Sequence, residues 1–252
     1  MGTLDAFRMD GRTAIVTGAS SGLGVGFARS LAGAGADLVL AARRGDRLEA
    51  LADELRATGS AVQVVVADVA RSSECDAVAA AALERFGRID ALINNAGLGS
   101  AVSALKETDD GFRRLIDVNL NGAFWMARAC ARSMSEGGSI VNVASILGLA
   151  APRFPQAAYA ASKAGVIGLT RDLAGEWARR GIRVNALCPG YFASEMTASG
   201  SEAIGEMVEQ LSMMRRFGEQ HELDPAMLFL ASPASSYVTG TTLTVDGGLT
   251  SF

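Results

Sequence analysis

Two rhythms of apolar and polar positions alternate along this chain. Short, nearly continuous apolar runs occur at Thr13-Ala14-Ile15-Val16-Thr17, Asp37 to Ala42, Val62 to Ala67, Ile89 to Ile93, Ser139 to Ala144, Ile182 to Cys188 and near 241–245. Between them lie stretches with helical spacing, near 23–34, 46–57, 73–86, 111–134, 157–180 and 222–232; in 46–57 the leucines at 48, 51 and 55 form an apolar stripe on a charged helix. Strands that are apolar on both faces, separated by helices, predict an α/β domain whose parallel sheet is covered on both sides. The alternation is interrupted after Pro189-Gly190 by a methionine-bearing insertion with Met196, Met207, Met213 and Met214. The segment 191–217 is placed to cover a ligand beside the carboxyl ends of the strands; its helix, near 201–213, serves equally well as a packing element.

Composition narrows this picture. With 252 residues and no Pro/Gly/Ser-rich linker, the expectation is one domain spanning 1–252. The apolar runs are too short to cross a bilayer, and the first residues lack a basic start and long apolar segment, so a cytoplasmic protein without membrane association is expected. A formal charge of -4 with no basic stripe argues against nucleic acid and for a small-molecule partner. Cys75, Cys130 and Cys188 are odd in number and far apart, which reads as core thiols. With His221 as the only histidine, no metal site is expected.

Candidate chemistry begins at Thr17-Gly18-Ala19-Ser20-Ser21-Gly22-Leu23-Gly24, where glycines follow a strand and open a helix whose free amides can accept pyrophosphate oxygens. The spacing departs from the common Gly-x-Gly-xx-Gly form, and glycines also serve turns and close packing. Position favours a dinucleotide. The acidic residue that holds the adenosine ribose in NAD sites is missing from the second strand's tip, where Ala42 is followed by Arg43 and Arg44. Guanidinium groups there can pair with a 2'-phosphate, so NADP(H) is favoured and NAD(H) is the alternative, unless both arginines are merely solvated. Asp68, with Val69, follows the third strand and suits the adenine amino group. Asn94-Asn95-Ala96-Gly97 follows the fourth, and both segments serve as strand-end caps in the plainer reading.

Tyr159 and Lys163 share a helical face at i,i+4, and Ser145 stands at the end of the preceding strand. A hydroxyl, a phenol and an ammonium are thereby brought within reach of one oxygen atom. A tyrosine that ordinarily ionises at about pH 10 is a poor base at neutral pH; Lys163 and a positive oxidised nicotinamide are expected to lower that value. Ser145 can donate to a carbonyl oxygen as Tyr159 passes it a proton. Lys163 can also hold ribose hydroxyls. Asn119 lies inside the long fifth helix, where asparagine is locally unfavourable; it either holds a water for proton exchange or pins the helix by a buried hydrogen bond.

With these residues in view, the chain resembles the short-chain dehydrogenase/reductase family over about residues 10–250. The likeness runs through the Thr17–Gly24 turn, Asn94-Asn95-Ala96-Gly97, Asn119, Ser145, Tyr159-Ala160-Ala161-Ser162-Lys163, Pro189-Gly190 and Asp246-Gly247-Gly248. It implies a Rossmann-type, doubly wound sheet of seven strands and a catalytic tetrad of Asn119, Ser145, Tyr159 and Lys163. Pro189, Gly190 and Phe192 would bracket the nicotinamide, and Ser194, Met196 or Thr197 would meet its carboxamide or the pyrophosphate. Substrate would be met by Ser145, Leu147, Phe154, Gln156 and Tyr159, with Ile146 and Arg153 nearby. The resemblance further implies a homotetramer, with a dimer as alternative, formed through helices 111–134 and 157–180, where Ala127, Ala129, Ala131, Ala164 and Gly168 permit close approach. The leading expectation is reduction of a ketone or 3-oxoacyl compound, although Gly175 stands where carrier-protein reductases can have arginine. Oxidation of a sugar acid or polyol and a catalytically silent dinucleotide-binding regulatory or scaffold protein are the alternatives.

Overall fold

Strands without a polar face need helices on both sides, and the computed structural model, which describes residues 2–151, 154–192 and 201–251, supplies them. The first four residues of its last segment are described by backbone alone. Seven parallel strands, β1 (Thr13–Thr17), β2 (Asp37–Ala42), β3 (Val62–Val66), β4 (Ala91–Asn94), β5 (Gly138–Val143), β6 (Ile182–Pro189) and β7 (Thr242–Val245), form one sheet. Their order is β3-β2-β1-β4-β5-β6-β7. The chain winds outward from β1 to β3, then crosses back to lay β4 against β1, so a crevice opens at their carboxyl ends.

Successive strand residues enter opposite faces. Ala14 and Val16, Leu38 and Leu40, and Ile93 join the core under α1 (Leu23–Gly33), α2 (Gly45–Ala57) and the last helix, Gln220–Ala231. Ile15, Val39, Ala41 and Leu92 join the other core, with Cys75, Val78, Met126, Cys130, Leu173 and Trp177 from α3 (Ser72–Phe86), α5 (Gly122–Ser133) and α6 (Ala157–Trp177). The period-two geometry of a strand is what splits each continuous apolar run between two cores. Leu48, Leu51 and Leu55 are buried as the α2 stripe requires, each contributing about 1.5–3 kcal/mol. All three cysteines are free and buried.

The single helix expected over 111–134 is two helices, α4 (Asp109–Ile116) and α5, joined by a π-helical segment at Asp117–Asn121. Thr108 caps α4 through its side chain, which accepts from the amide of Gly111. In the π segment the amide of Gly122 bonds the carbonyl of Asp117, one residue further back than in an α-helix. The extra residue turns Asn119 into the structure, where it is 2% exposed. Close approach requires glycine beside it: a Cβ on Gly122 would lie 2.9 Å from Val69 Cγ2. α6 ends in a 3-10 turn over Ala178–Arg180, and Ser201–Leu211, α7, carries the helix expected in the insertion. Of the small residues expected at helix surfaces, Ala127, Ala129 and Ala131 are buried within the chain's own core, whereas Ala164 is exposed and Gly168 half-buried.

Arg183 on β6 has a purely internal task. Its guanidinium donates to the carbonyls of Leu230, Val238 and Ser232 and to Ser235 Oγ, tying β6 to the connection before β7. Burial among these neutral acceptors lowers its pKa to about 10.

Candidate active site

At the carboxyl edge of the sheet lies a cleft of about 440 Å³. One end is built by the turn from β1 into α1. Gly18 has φ +68° and Gly22 φ +57°, and a Cβ on Gly18 would lie 2.8 Å from Ala96 Cα, so the turn needs glycine both for its conformation and for its contact with the β4 loop. Gly24 has the same second reason, its Cβ falling 2.5 Å from the carbonyl oxygen of Gly18. No side chain caps the start of α1 at Gly22, leaving its first amides available to an anion. Gly18, Ser20, Ser21, Gly22 and Leu23 line the cleft.

Thr17 locks this turn to β4, a role sequence reasoning missed. Its hydroxyl accepts from the amides of Asn95 and Ala96 at 3.1 and 3.0 Å, while Asn95 Nδ2 returns a bond to the carbonyl of Thr17 at 3.0 Å. The Asn95 side chain is therefore a strut. Asn94 turns into the core, donating to the carbonyl of Ala123 and to Asn142 Oδ1.

Arg43 and Arg44 line the same end, exposed, and Arg44 donates to Ser20 Oγ and Ser21 Oγ. Two hydroxyls and two guanidinium groups thus gather beyond the tip of β2. Asp68 and Val69 line the cleft as well; the Asp68 carboxylate accepts from the amide of Ala70 at 3.0 Å.

Ser145, Tyr159 and Lys163 meet at the other end, together with Pro189, Gly190 and Phe192. Ser145 ends β5's extension, and its Oγ accepts from the amide of Leu147 at 3.1 Å while its hydroxyl bonds the phenol of Tyr159. The following turn presses on α6 so closely that a Cβ on Gly148 would lie 2.7 Å from the carbonyl carbon of Lys163. Lys163, 5% exposed, donates to the carbonyl of Val143 at 2.7 Å and lies 5.6 Å from the centre of the Tyr159 ring.

In the protein alone the surroundings of Tyr159 do not make the phenol acidic; the expectation joined Lys163 to a bound, positive nicotinamide. Burial pushes Tyr159 up to about 12, opposed by a hydrogen bond from Ser145 and reinforced by Tyr191 and Cys188. Burial also brings Lys163 down to about 8, its largest cause being lost hydration. Lost hydration is the largest cause for both groups, Lys163 being buried and Tyr159 half-buried at the cleft wall.

Asn119 does not line the cleft but stands directly behind it. Its Nδ2 donates to the carbonyl of Leu98 at 2.9 Å and to Ser162 Oγ at 3.0 Å, and its Oδ1 accepts from the amide of Leu98 at 2.7 Å. These bonds pin the side chain to the Gly97–Leu98 loop and to α6. Leu147, Phe154 and Gln156 are half-buried and lie outside the cleft lining; Gln156 begins α6 as its N-cap. Arg153, Ser194, Met196 and Thr197 fall outside the described residues. Leu98 and Val118 line the cleft without having been expected there. Their adjacency to Gly97 and Asn119 was the available signal.

A cleft with uncapped amides at one helix start, a basic rim and a floor of small side chains fits a phosphorylated dinucleotide. When bound, its nicotinamide would reach Ser145, Tyr159 and Lys163.

Comparison with known proteins agrees. A family model described as "Enoyl-(Acyl carrier protein) reductase" matches residues 18–250. The chain is 46% identical over 251 residues to the galactitol 2-dehydrogenase (L-tagatose-forming) of Cereibacter sphaeroides, covering 97% of each chain. It is 37% identical over 245 residues to a 3-oxoacyl-[acyl-carrier-protein] reductase of Synechocystis, covering 96% of this chain and 98% of the other. A gluconate 5-dehydrogenase from Burkholderia cenocepacia, solved in complex with NADP and tartrate, superimposes with a TM-score of 0.95 at 39% identity over the full length of both.

Proposed function

The chain belongs to the short-chain dehydrogenase/reductase family of NAD(P)(H)-dependent oxidoreductases acting on alcohol and carbonyl groups, and on that premise we propose that Tyr159 is its general acid and base. The observation that carries this reading is the meeting of Ser145, Tyr159 and Lys163 at one end of the cleft. In reduction Tyr159 gives its phenolic proton to the carbonyl oxygen; in oxidation it takes the proton of the alcohol. Ser145, beside the phenol, donates to the same oxygen when substrate is bound and steadies the charge that grows there. Lys163, anchored to Val143, holds positive charge beside the phenol ring. The nicotinamide, when bound, supplies or accepts the hydride.

NADP(H) is the favoured cofactor. Arg43, Arg44, Ser20 and Ser21 converge where the 2'-phosphate would lie, and no acidic side chain stands at the tip of β2 to hold a free ribose. A polyhydroxylated alcohol or sugar acid is favoured over a 3-oxoacyl chain, on the higher identity to a galactitol dehydrogenase and on Gly175. The 3-oxoacyl reading keeps the support of the reductase from Synechocystis. The assembly is read as a tetramer, with Ala164 and Gly168 on the outer side of α6 allowing a second copy to approach closely. Light scattering during gel filtration tests that assembly.

Turnover of NADPH and NADH, and of their oxidised forms, against galactitol, gluconate, cyclohexanol and their ketones and a 3-oxoacyl thioester tests the whole reading. Galactitol or gluconate oxidised with NADP is the expected result. A protein that binds NADPH and is inert across the panel would sink it in favour of a regulatory or scaffold role.

A further inference from the structure

Tyr191 has no part in the chemistry above, although it directly follows the Pro189-Gly190 stop. Its neighbours Gly190 and Phe192 line the cofactor cleft and Tyr191 does not. The local backbone accounts for this. The carbonyl of Tyr191 accepts from the amide of Gly218 at 3.0 Å, and Phe192 forms a parallel bridge with the same glycine, so the chain is extended here. Successive side chains of an extended chain point to opposite sides. The Phe192 ring enters the core under α1 and the last helix, so close to Gly218 that a Cβ there would lie 2.5 Å from it. Tyr191 is thereby turned the other way, towards the face that α6 covers, where Tyr159 stands. Electrostatics agree: after burial, the nearness of Tyr191 is among the causes that raise the pKa of Tyr159.

Tyr191 lines a hollow of about 70 Å³ that shares Phe192 with the cleft. The charged side chains of that hollow are engaged. Arg216 donates to both oxygens of the Glu222 carboxylate at 2.7 Å, and the Asp246 carboxylate accepts from the amides of Gly248 and Thr250 and from the Thr250 hydroxyl. The phenol of Tyr191, by contrast, is half-buried and has no hydrogen-bond partner among the described residues. A ligand that covers this hydroxyl without bonding it displaces water and replaces nothing. We propose that Tyr191 is a specificity-determining residue that bonds a second hydroxyl of the substrate, on a carbon close to the reacting one, and so selects diols and polyols over simple secondary alcohols. A phenol donates and accepts, as the hydroxyl of a polyol does. Among the described residues the cation lining the hollow, Arg216, is already neutralised by Glu222, so a carboxylate has less to gain there than a hydroxyl. The inference rests on the polyol-oxidation reading above.

Cyclohexanol and the cyclohexane-1,2- and 1,3-diols share one ring and differ by one hydroxyl, so they isolate the proposed contact. With NADP, the protein is expected to oxidise at least one diol with a kcat/KM about tenfold or more above that of cyclohexanol. Tyr191→Phe should lower that ratio about tenfold to a hundredfold, because one hydrogen bond to substrate is lost. An unchanged ratio overturns the proposal. Binding can be read without turnover, for the chain has three tyrosines, Tyr159, Tyr191 and the exposed Tyr237. Labelled with carbon-13 at Cζ, they give three resonances in the NADP complex. A diol is expected to move those of Tyr159 and Tyr191, cyclohexanol that of Tyr159, and neither that of Tyr237. A Tyr191 resonance that both diols leave in place overturns the proposal, and this measurement stands even where Tyr191→Phe fails to fold. A protein that binds a diol at Tyr191 and oxidises none of the three compounds defeats the polyol-oxidation reading instead, and the assignment of Tyr191 as the hydroxyl-binding group survives it.

Discussion

At the Arg43–Arg44 end of the cleft the charged side chains stand in water, with Arg44 leaning on two serine hydroxyls, whereas at the Tyr159–Lys163 end the ammonium is buried and the phenol half-buried at the cleft wall. Solvent screens the first pair, so exposed guanidinium groups adjust affinity by modest amounts and leave folding nearly untouched. Lost hydration dominates the second pair and moves the phenol up to about 12 and the ammonium down to about 8. On the proposed reading, cofactor selection lies where a change in charge costs the fold little, and proton transfer where the fold feels it.

The contrast is broken most directly at the buried end. Tyr159→Phe is expected to lower kcat by about 10²–10⁴-fold with NADPH binding unchanged, measured by turnover beside a fluorescence titration of the cofactor. A variant that kept its rate would show that this end of the cleft does not carry the proton.

Lys163→Met separates chemistry from stability at the same place. The folded-state pKa of Lys163, about 8, lies below its ordinary 10.5, so the unfolded chain binds the proton more tightly. Burial of that charge therefore costs stability fully below pH 8, and the cost fades as pH rises towards 10.5. The methionine variant should lose turnover yet gain about 1–3 kcal/mol at pH 7 in urea melts, with the gain shrinking by pH 10. A variant less stable than the parent at pH 7 would mean that the bond to Val143 outweighs desolvation.

Effects at the open end are smaller. Arg44→Ala is expected to raise the KM for NADPH about tenfold with little change for NADH, since a charge-assisted contact to the 2'-phosphate is lost. Equal losses for both cofactors would remove the arginine from phosphate selection. Raising ionic strength from about 0.05 to 0.5 M should weaken NADPH binding about twofold to threefold without changing kcat, because screening reaches the rim and not the buried pair.

Much of this arrangement was legible along the chain. The runs at Thr13–Thr17, Asp37–Ala42 and Ile182–Cys188 are nearly continuous in apolar residues, as strands covered on both faces require, and that near-continuity identifies parallel strands. Ser145, Tyr159 and Lys163 were found by an i,i+4 spacing and a strand end, both local features. The π segment at Asp117–Asn121 was not, since one extra residue in a helical turn leaves the apolar spacing of 111–134 nearly unchanged. Nor was the strut between Thr17 and Asn95, whose partners lie 78 positions apart. The rise of the Tyr159 pKa in the protein alone was not legible for a related reason: the nearness of a lysine can be read from spacing, but burial depends on how β5, β6 and α6 close around both.

By itself, then, the order of residues determined the seven strands, the glycine turn, the two arginines at the tip of β2 and the meeting of Ser145, Tyr159 and Lys163 at one strand edge. These depend on covalent neighbours and on periodicities of two and 3.6 residues, which are written along the chain. Tertiary structure alone decided which way the Asn119 amide points, what Arg183 ties together and how far Tyr159 and Lys163 depart from their ordinary ionisation. Hydrogen-bond partners and dielectric surroundings come from segments distant in sequence, and they exist only once the sheet has brought those segments together.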